Sequence, residues 1–260
     1  MAKRSAFEVV ETLAPENAAL FLDFDGTLVD IVERPGDVRI SARNLASLLV
    51  LAGRAGGALA IVSGRSVETI DGFVEPHRFA TSGVHGFEMR HPGAEVRRLE
   101  ADLEGLERVV EKLQAFAEAH DGLIVERKPA SVSLHYRQRP ELGVVARDAV
   151  DAAVAGETGL RLLPGKMVLE VKAHRGDKGL AIEQFMAEAP FAGRVPVFIG
   201  DDVTDEAAFR AVNGMGGVSI KVGDGETAAA YVLADTAEVA RWLEAFAGSE
   251  ATAIKEDTGA

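Results

Sequence analysis

Between Leu20 and Asp30 the chain reads LFLDFDGTLVD, an apolar run that ends on two carboxylates one residue apart. Asp23 at such a strand end can ligate a metal and can also attack phosphorus, giving a covalent aspartyl-phosphate. Asp25, two residues on, can share one side of the turn, protonate a leaving oxygen and later activate water. Gly26 allows a tight turn and close approach of a phosphate to backbone N–H groups. Two other apolar runs also end on polar groups: Ala58–Val62 leads into Ser63-Gly64-Arg65, and Val195–Ile199 leads into Gly200-Asp201-Asp202-Val203-Thr204-Asp205. In an open parallel sheet, ligands bind beyond the carboxyl ends of the strands. If these three strands are neighbours, one small site gathers several carboxylates, and crowded carboxylates raise each other's pKa unless a cation intervenes. A hard divalent ion answers that need, and Mg²⁺ is the usual choice beside phosphate. Asp201 and Asp205 suit metal coordination, Thr27 and Ser63 offer hydroxyls, and Lys178 at a helix start could tie Asp23 to a phosphate.

Each piece alone has a plainer reading. Asp-x-Asp-Gly is often only a turn. Ser-Gly-Arg also reads as a loop before a helix. Gly-Asp-Asp-x-Thr-Asp could be helix capping, with acids at a helix start. Lys178 by itself is a solvated lysine. Their order, each after an apolar strand, is what argues for a site.

The elements that must position these residues alternate. Leu20–Phe24 reads as a strand, Ser41–Gly53 as a helix with Leu45, Leu48, Leu49 and Ala52 on one face, and Ser66–Phe73 as another helix. Late in the chain a helix over Lys178–Ala189, strands at Val195–Ile199 and Val218–Val222, and a last helix carrying Val239, Trp242, Leu243 and Phe246 resume the pattern. This alternation predicts βαβ units and a parallel sheet. The middle differs. A stripe of Leu103, Leu106, Val110, Leu113 and Ala117 is followed by strands at Leu123–Lys128 and Ser131–Arg137, a helix at Leu142–Ala155, and strands at Leu160–Leu163 and Met167–Lys172. The expected organisation is an α/β core, residues 1–100 and 174–260, with a smaller α+β module inserted at 101–173. The tail GSEATAIKEDTGA reads as frayed.

The 260 residues include 47% hydrophobic and 27% charged, as in an ordinary soluble protein, and the formal net charge is −13. Such a balance argues against nucleic acid or an anionic membrane as the main partner. A local cation can still admit an anionic small substrate. There are no cysteines, so disulfides and thiolate metal sites are excluded. MAKRSAFEVVETLAPE lacks the apolar core of a signal peptide, and the sequence has no membrane-length apolar run. The expectation is a cytoplasmic protein, taken as a monomer.

Asp-x-Asp-Gly-Thr, Ser-Gly-Arg, a lysine and Gly-Asp-Asp-x-Thr-Asp, in that order, resemble the haloacid dehalogenase superfamily of phosphatases. Within it the chain is similar to the trehalose-6-phosphate phosphatases, through SGVHGFE at Ser82–Glu88, ERKPASVSLHYR at Glu126–Arg137, GKMVLEVK at Gly165–Lys172, KGLAI at Lys178–Ile182 and GDDVTDE at Gly200–Glu206. The resemblance spans about Leu20 to Phe246. It implies a Rossmann-like core with a cap, and hydrolysis of trehalose 6-phosphate. Asp23 would be the nucleophile and Asp25 the acid/base. Asp23, the Asp25 carbonyl and Asp201 would hold Mg²⁺. Ser63 and Lys178 would bind phosphate, with Arg65 beside it and Thr27 and Gly64 also among the phosphate-binding residues. Where the family often has a proline after the lysine of ExK, this chain has Ala173 and then His174, which bears on hinge geometry. Relatives in the superfamily act on sucrose, mannosylglycerate or hexose phosphates, and these are the rival substrates. A binding-only protein or an aspartate-phosphorylated receiver domain are rivals of other classes.

Strands alternate faces. That places Glu126 and Lys128, then Ser131, Ser133, His135 and Arg137, then Glu170 and Lys172, on polar faces of the insert, opposite Val125, Val132, Leu134, Tyr136, Met167, Leu169 and Val171. A half-solvated sheet explains this pattern; so does a lid whose polar face contacts sugar. The resemblance favours the lid and carries Glu126, Lys128 and Glu170 over as sugar contacts. His135 and Arg137 are support or contact. His85, between the glycines of GVHG, is expected on the substrate side, and Asp202 and Asp205 are expected to support the acidic loop.

Overall fold

The computed structural model describes residues 4–32, 37–165 and 167–249. Lys166, one of the motif residues, and most of the tail expected to fray lie outside them. In chain order the elements are β1 (Arg4–Ser5), α1 (Phe7–Thr12), β2 (Ala18–Leu22), α2 (Ala42–Arg54), β3 (Leu59–Val62), α3 (Val67–Val74), β4 (Ala80–Gly83), β5 (Glu88–Arg90), β6 (Arg97–Arg98), α4 (Leu103–Glu118), β7 (Ile124–Lys128), β8 (Ser131–His135), α5 (Gly143–Val154), β9 (Arg161–Gly165), β10 (Val168–Lys172), α6 (Lys178–Met186), β11 (Val195–Gly200), α7 (Glu206–Gly214), β12 (Val218–Val222), β13 (Tyr231–Leu233) and α8 (Thr236–Gly248). Their contacts divide into two compact units, Met1–Arg97 with Asp177–Ala260, and Arg98–Gly176. No described helix is long and apolar enough to cross a membrane.

The first unit is a mostly parallel sheet in the order β1-β13-β12-β11-β2-β3-β4-β5-β6. β2 pairs in parallel with β3 on one side and with β11 on the other. Every residue of β2 is fully buried, as a strand covered on both faces must be. Leu20, Leu22, Val197, Ile199 and Ile220 pack with Leu48 and Leu51 of α2 and Trp242, Leu243 and Phe246 of α8. Ala19, Phe21 and Phe198 face the other way, toward Ile182 and Phe185 of α6 and Phe209 and Val212 of α7. Each buried Phe or Leu is worth about 1.5–3 kcal/mol of transfer free energy. The helices begin where the sequence caps them. Ser41 accepts the Asn44 N–H at 3.0 Å, Ser66 that of Thr69 at 3.2 Å, and Asp177 that of Leu180 at 2.8 Å. The last of these caps makes Lys178 the first residue of α6.

The connections run β2 to β3 on one side, whereas β11 returns to lie on the other. The strand order therefore switches direction between β2 and β11. A crevice forms at such a switch point, beyond the carboxyl ends of the strands. Asp23 follows β2 and Asp201 follows β11.

The second unit has a four-stranded antiparallel sheet, β7-β8-β10-β9. Val132, Leu134, Leu169 and Val171 pack beneath α4 and α5. Three expectations change here. Leu103 is 46% exposed, at the first turn of α4, and Val109 fills the core instead. Met167 sits in the β9–β10 turn with φ of 61° and is exposed, so the apolar face of β10 begins at Leu169. β8 ends at His135, and Arg137 lies in the following turn, exposed.

Candidate active site

Asp23 emerges at the end of β2, its N–H donating to the Ile199 carbonyl at 2.9 Å, and it is only 4% exposed. Lys178, 3% exposed, donates to Asp23 Oδ1 at 2.6 Å and to Asp205 Oδ1 at 2.5 Å. The plain reading of Lys178 as a solvated lysine is therefore overturned: its ammonium lies buried between two carboxylates. Burial alone would push its pKa down, but Asp23 and Asp205 outweigh that and hold it above the ordinary lysine value. Asp23 is displaced upward, because burial and the carboxylates of Asp205 and Asp201 outweigh Lys178. Asp201 is raised too, by burial first and then by Asp205.

Asp23, Asp201 and Asp205 present carboxylate oxygens within 4.8 Å of one another. Three carboxylates against one ammonium leave an uncompensated negative charge that a divalent cation would neutralise. Asp201 Oδ1 is buried without a hydrogen-bond partner, and buried polar atoms of this kind call for a ligand. The donor set, all carboxylate oxygen, suits a hard ion. Asp205 is differently committed. Its Oδ1 takes Lys178, and its Oδ2 takes the N–H groups of Asp201 and Asp202, each at 2.9 Å. The capping reading and the site reading of GDDVTD thus hold together, and Asp205 braces the loop. Asp202 itself is exposed.

Gly26 adopts φ of 80° and lies flat against Asp201; a Cβ there would sit 2.2 Å from Asp201 Oδ2. Glycine is needed both for the backbone and for the space. Thr27 is fully buried and its hydroxyl has no hydrogen-bond partner. Asp25, by contrast, faces Arg65, whose Nε and Nη2 donate to its two oxygens at 2.7 Å each. The guanidinium also lies over the Phe73 and Phe24 rings, at 5.1 and 5.9 Å. Arg65, expected beside phosphate, is held on Asp25.

Ser63 is buried, its Oγ accepting the Arg65 N–H at 3.1 Å. Its carbonyl accepts the His85 N–H and the Arg65 carbonyl accepts that of Val84, both at 3.0 Å. Val84 and His85 are left-handed, with φ of 49° and 50°. A β-branched residue in that conformation is strained, by about 1–3 kcal/mol. The loop persists because it is pinned on both sides. The His85 ring packs on Gly64, where a Cβ would lie 2.6 Å from Nε2, and Gly86 packs against the Asp177 carbonyl. GVHG is thus a wedge between the Ser63 loop and the start of α6.

In the second unit the register aligns Glu126 with Ser133 and Ser133 with Glu170. Glu126 accepts from His135 Nε2 at 2.9 Å and lies 3.9 Å from Lys128. The hydrogen bond to His135, against a smaller burial effect, holds its carboxyl below the usual value. Glu170 accepts the Ser131 hydroxyl at 2.8 Å. The polar face therefore carries Glu126 joined to His135 and Lys128, and separately Glu170 on Ser131, though Ser131 and Ser133 on it are buried. Arg137 is not part of either group.

Sequence reasoning missed Lys221, whose buried ammonium donates to the Asp201 backbone carbonyl. The available signal was a lysine late in the strand VSIKV, Val218–Val222.

The profile of the family described as Trehalose-phosphatase matches residues 21–237. The trehalose-6-phosphate phosphatase of Escherichia coli (strain K12) is 38% identical over 226 residues, covering 87% of this chain and 85% of its own. A probable trehalose-phosphate phosphatase of Sinorhizobium fredii is 41% identical over 210 residues, covering 80% and 78%. The fold matches the C-terminal domain of the C. albicans trehalose-6-phosphate phosphatase with a TM-score of 0.77 at 22% identity, over 96% of this chain and 99% of that one. The chain belongs to the trehalose-phosphatase family, on a haloacid dehalogenase-type core.

Proposed function

We propose that this chain hydrolyses trehalose 6-phosphate to trehalose and inorganic phosphate, with Mg²⁺ as its metal. The observation that carries the reading is the buried Asp23 carboxylate at the sheet's switch point, paired with Lys178 and crowded by Asp201 and Asp205. Family membership supplies the substrate class.

An Asp23 oxygen attacks phosphorus and the bond from phosphorus to the sugar oxygen breaks. Asp25 gives its proton to that leaving oxygen. Water then attacks the phosphorus of the aspartyl-phosphate, Asp25 takes its proton, phosphate leaves and the Asp23 carboxylate is restored. Lys178, already on Asp23, orients the nucleophile and offsets charge on the transferring group. Ser63, Gly64 and Thr27 line the phosphate end. Asp25 must leave Arg65 to carry a proton, which frees the guanidinium for the phosphate. Mg²⁺, held by the Asp23 and Asp201 carboxylates and the Asp25 carbonyl, would neutralise phosphoryl charge when bound.

Glu126, Lys128 and Glu170 contact sugar hydroxyls, the carboxylates accepting and the ammonium donating. His135 orients Glu126, and His85 acts at the Ser63 loop. The test is phosphate release from trehalose 6-phosphate, sucrose 6-phosphate, glucose 6-phosphate and mannosylglycerate phosphate, with Mg²⁺ and with EDTA. Strong preference for trehalose 6-phosphate, lost with EDTA, is expected. Preference for another sugar would keep the Asp23 chemistry and overturn the reading of Glu126, Lys128 and Glu170. No turnover of any would overturn the proposal.

A further inference from the structure

The acidic loop after β11 is held from behind by a second lysine. Lys221 lies near the end of β12, opposite Gly200 in the register, and is 7% exposed. Its Nζ donates to the Asp201 backbone carbonyl and, at 2.6 Å, to the Val222 carbonyl. A buried ammonium is costly unless well compensated, and these partners are neutral. Packing does not account for it either: the alternate residues Ile220 and Val222 are part of the apolar core on the opposite side of the strand.

What the position does account for is Asp201. Its N–H is fixed by Asp205 Oδ2 at 2.9 Å, its C=O by Lys221, and its carboxylate is seated on Gly26. Both main-chain groups of the residue are thus tied to buried charges, while Oδ1 is left without a partner. We infer that Lys221 is a positioning residue for the divalent cation: it touches no ligand, but fixes the backbone that aims the Asp201 carboxylate. This rests on the proposed role of Asp201 at the metal.

The sign of the effect makes the inference testable. If Lys221 acted only as a nearby positive charge, removing it would strengthen cation binding by Coulomb's law. If it acts by positioning, removing it weakens binding, and outer partners of metal ligands are worth roughly 10–100-fold in affinity. Mn²⁺ is the probe, its binding to the full chain read from loss of the free-ion EPR signal, with thermal melting in EDTA as the check on folding. Lys221→Met, of similar length and uncharged, is expected to weaken Mn²⁺ binding about tenfold or more while melting cooperatively. Lys221→Gln, a milder change, serves if the Met variant does not fold and is expected to shift binding the same way. A folded variant that binds Mn²⁺ as tightly as the wild type, or more tightly, overturns the inference. Asp201→Asn is the control. If it leaves Mn²⁺ affinity unchanged, the Asp201 reading itself fails and takes the inference with it. If it weakens binding and the Lys221 variants do not, only the inference fails.

Discussion

Replacing Gly26 by alanine places a methyl carbon where the Asp201 carboxylate now lies. The new Cβ would be 2.2 Å from Oδ2, 2.5 Å from Cγ and 2.8 Å from Oδ1. Ordinary contact starts near 3.4 Å, so the carboxylate or the Gly26 turn must retreat by roughly 1 Å. Asp201 cannot yield easily, because Asp205 holds its N–H and Lys221 its carbonyl. The turn is also anchored, with the Gly26 N–H on the Val29 carbonyl at 2.8 Å. An alanine at φ of 80° adds about 1–2 kcal/mol of left-handed strain. Folding should survive that. Catalysis should not, since a displacement of about 1 Å at reacting groups costs on the order of 100-fold. The assay is kcat/KM for phosphate release from trehalose 6-phosphate, beside urea unfolding of both proteins. A loss of about 100-fold in kcat/KM with a stability loss of about 1–2 kcal/mol is expected. A folded variant with near-normal kcat/KM would refute the tight seating of Asp201 on Gly26.

Lys178→Met removes the one ammonium between Asp23 and Asp205; stability at neutral pH should fall by about 3 kcal/mol and kcat by at least about 100-fold, as read by denaturation and phosphate release. His174 is 2% exposed and accepts the Gly176 N–H at Nδ1, 3.0 Å away. Burial, with help from Lys172, depresses it from 6.5 to about 4. The unfolded chain then binds a proton that the folded chain refuses between those values, so its contribution is full above pH 6.5 and is lost as pH falls toward 4. Moving from pH 7.5 to 5.0 should cost about 2 kcal/mol through this group. Asp23 and Asp201 shift the other way, so the readout is the difference in unfolding free energy between wild type and His174→Asn, whose Oδ1 stands in the place of Nδ1 and keeps the Gly176 bond. Glu126→Gln removes a charged acceptor from the polar face of the second unit; KM for trehalose 6-phosphate should rise about tenfold with a smaller change in kcat.

The strands and helices of the first unit that flank the site were legible in the sequence, because a doubly covered parallel sheet writes itself as short apolar runs between amphipathic helices. β2, β3 and β11, the helices beginning near Ser41, Ser66 and Lys178, and Trp242 of α8 all followed from that pattern. Other short elements were not legible: β1, β5 and β13 have two or three residues, too few for a period to show, and β4, unlike the equally short β3, reads ATSG rather than as an apolar run. In the second unit the alternation fixed Val132, Leu134, Leu169 and Val171 as core, but it could not say where strands stop. Met167 and Arg137 were therefore read into strands whose neighbouring turns they occupy. Burial was the other hidden quantity. Nothing in KGLAI tells a solvated lysine from one sealed between two carboxylates; only the pairing of Asp177 capping with the β2–β11 switch point brings Lys178 onto Asp23. The division of labour between Asp201 and Asp205 was hidden for the same reason, since it depends on which oxygens the backbone has already taken.

The most direct test of the account is the rate of phosphate release from trehalose 6-phosphate by Asp23→Asn, with Mg²⁺ and at matched fold. The asparagine keeps the shape and an oxygen for Lys178 but has no carboxylate to attack phosphorus. A loss of about 10⁴-fold or more with unchanged melting is predicted. Turnover within about tenfold of wild type would contradict Asp23 as the nucleophile and the site built around it.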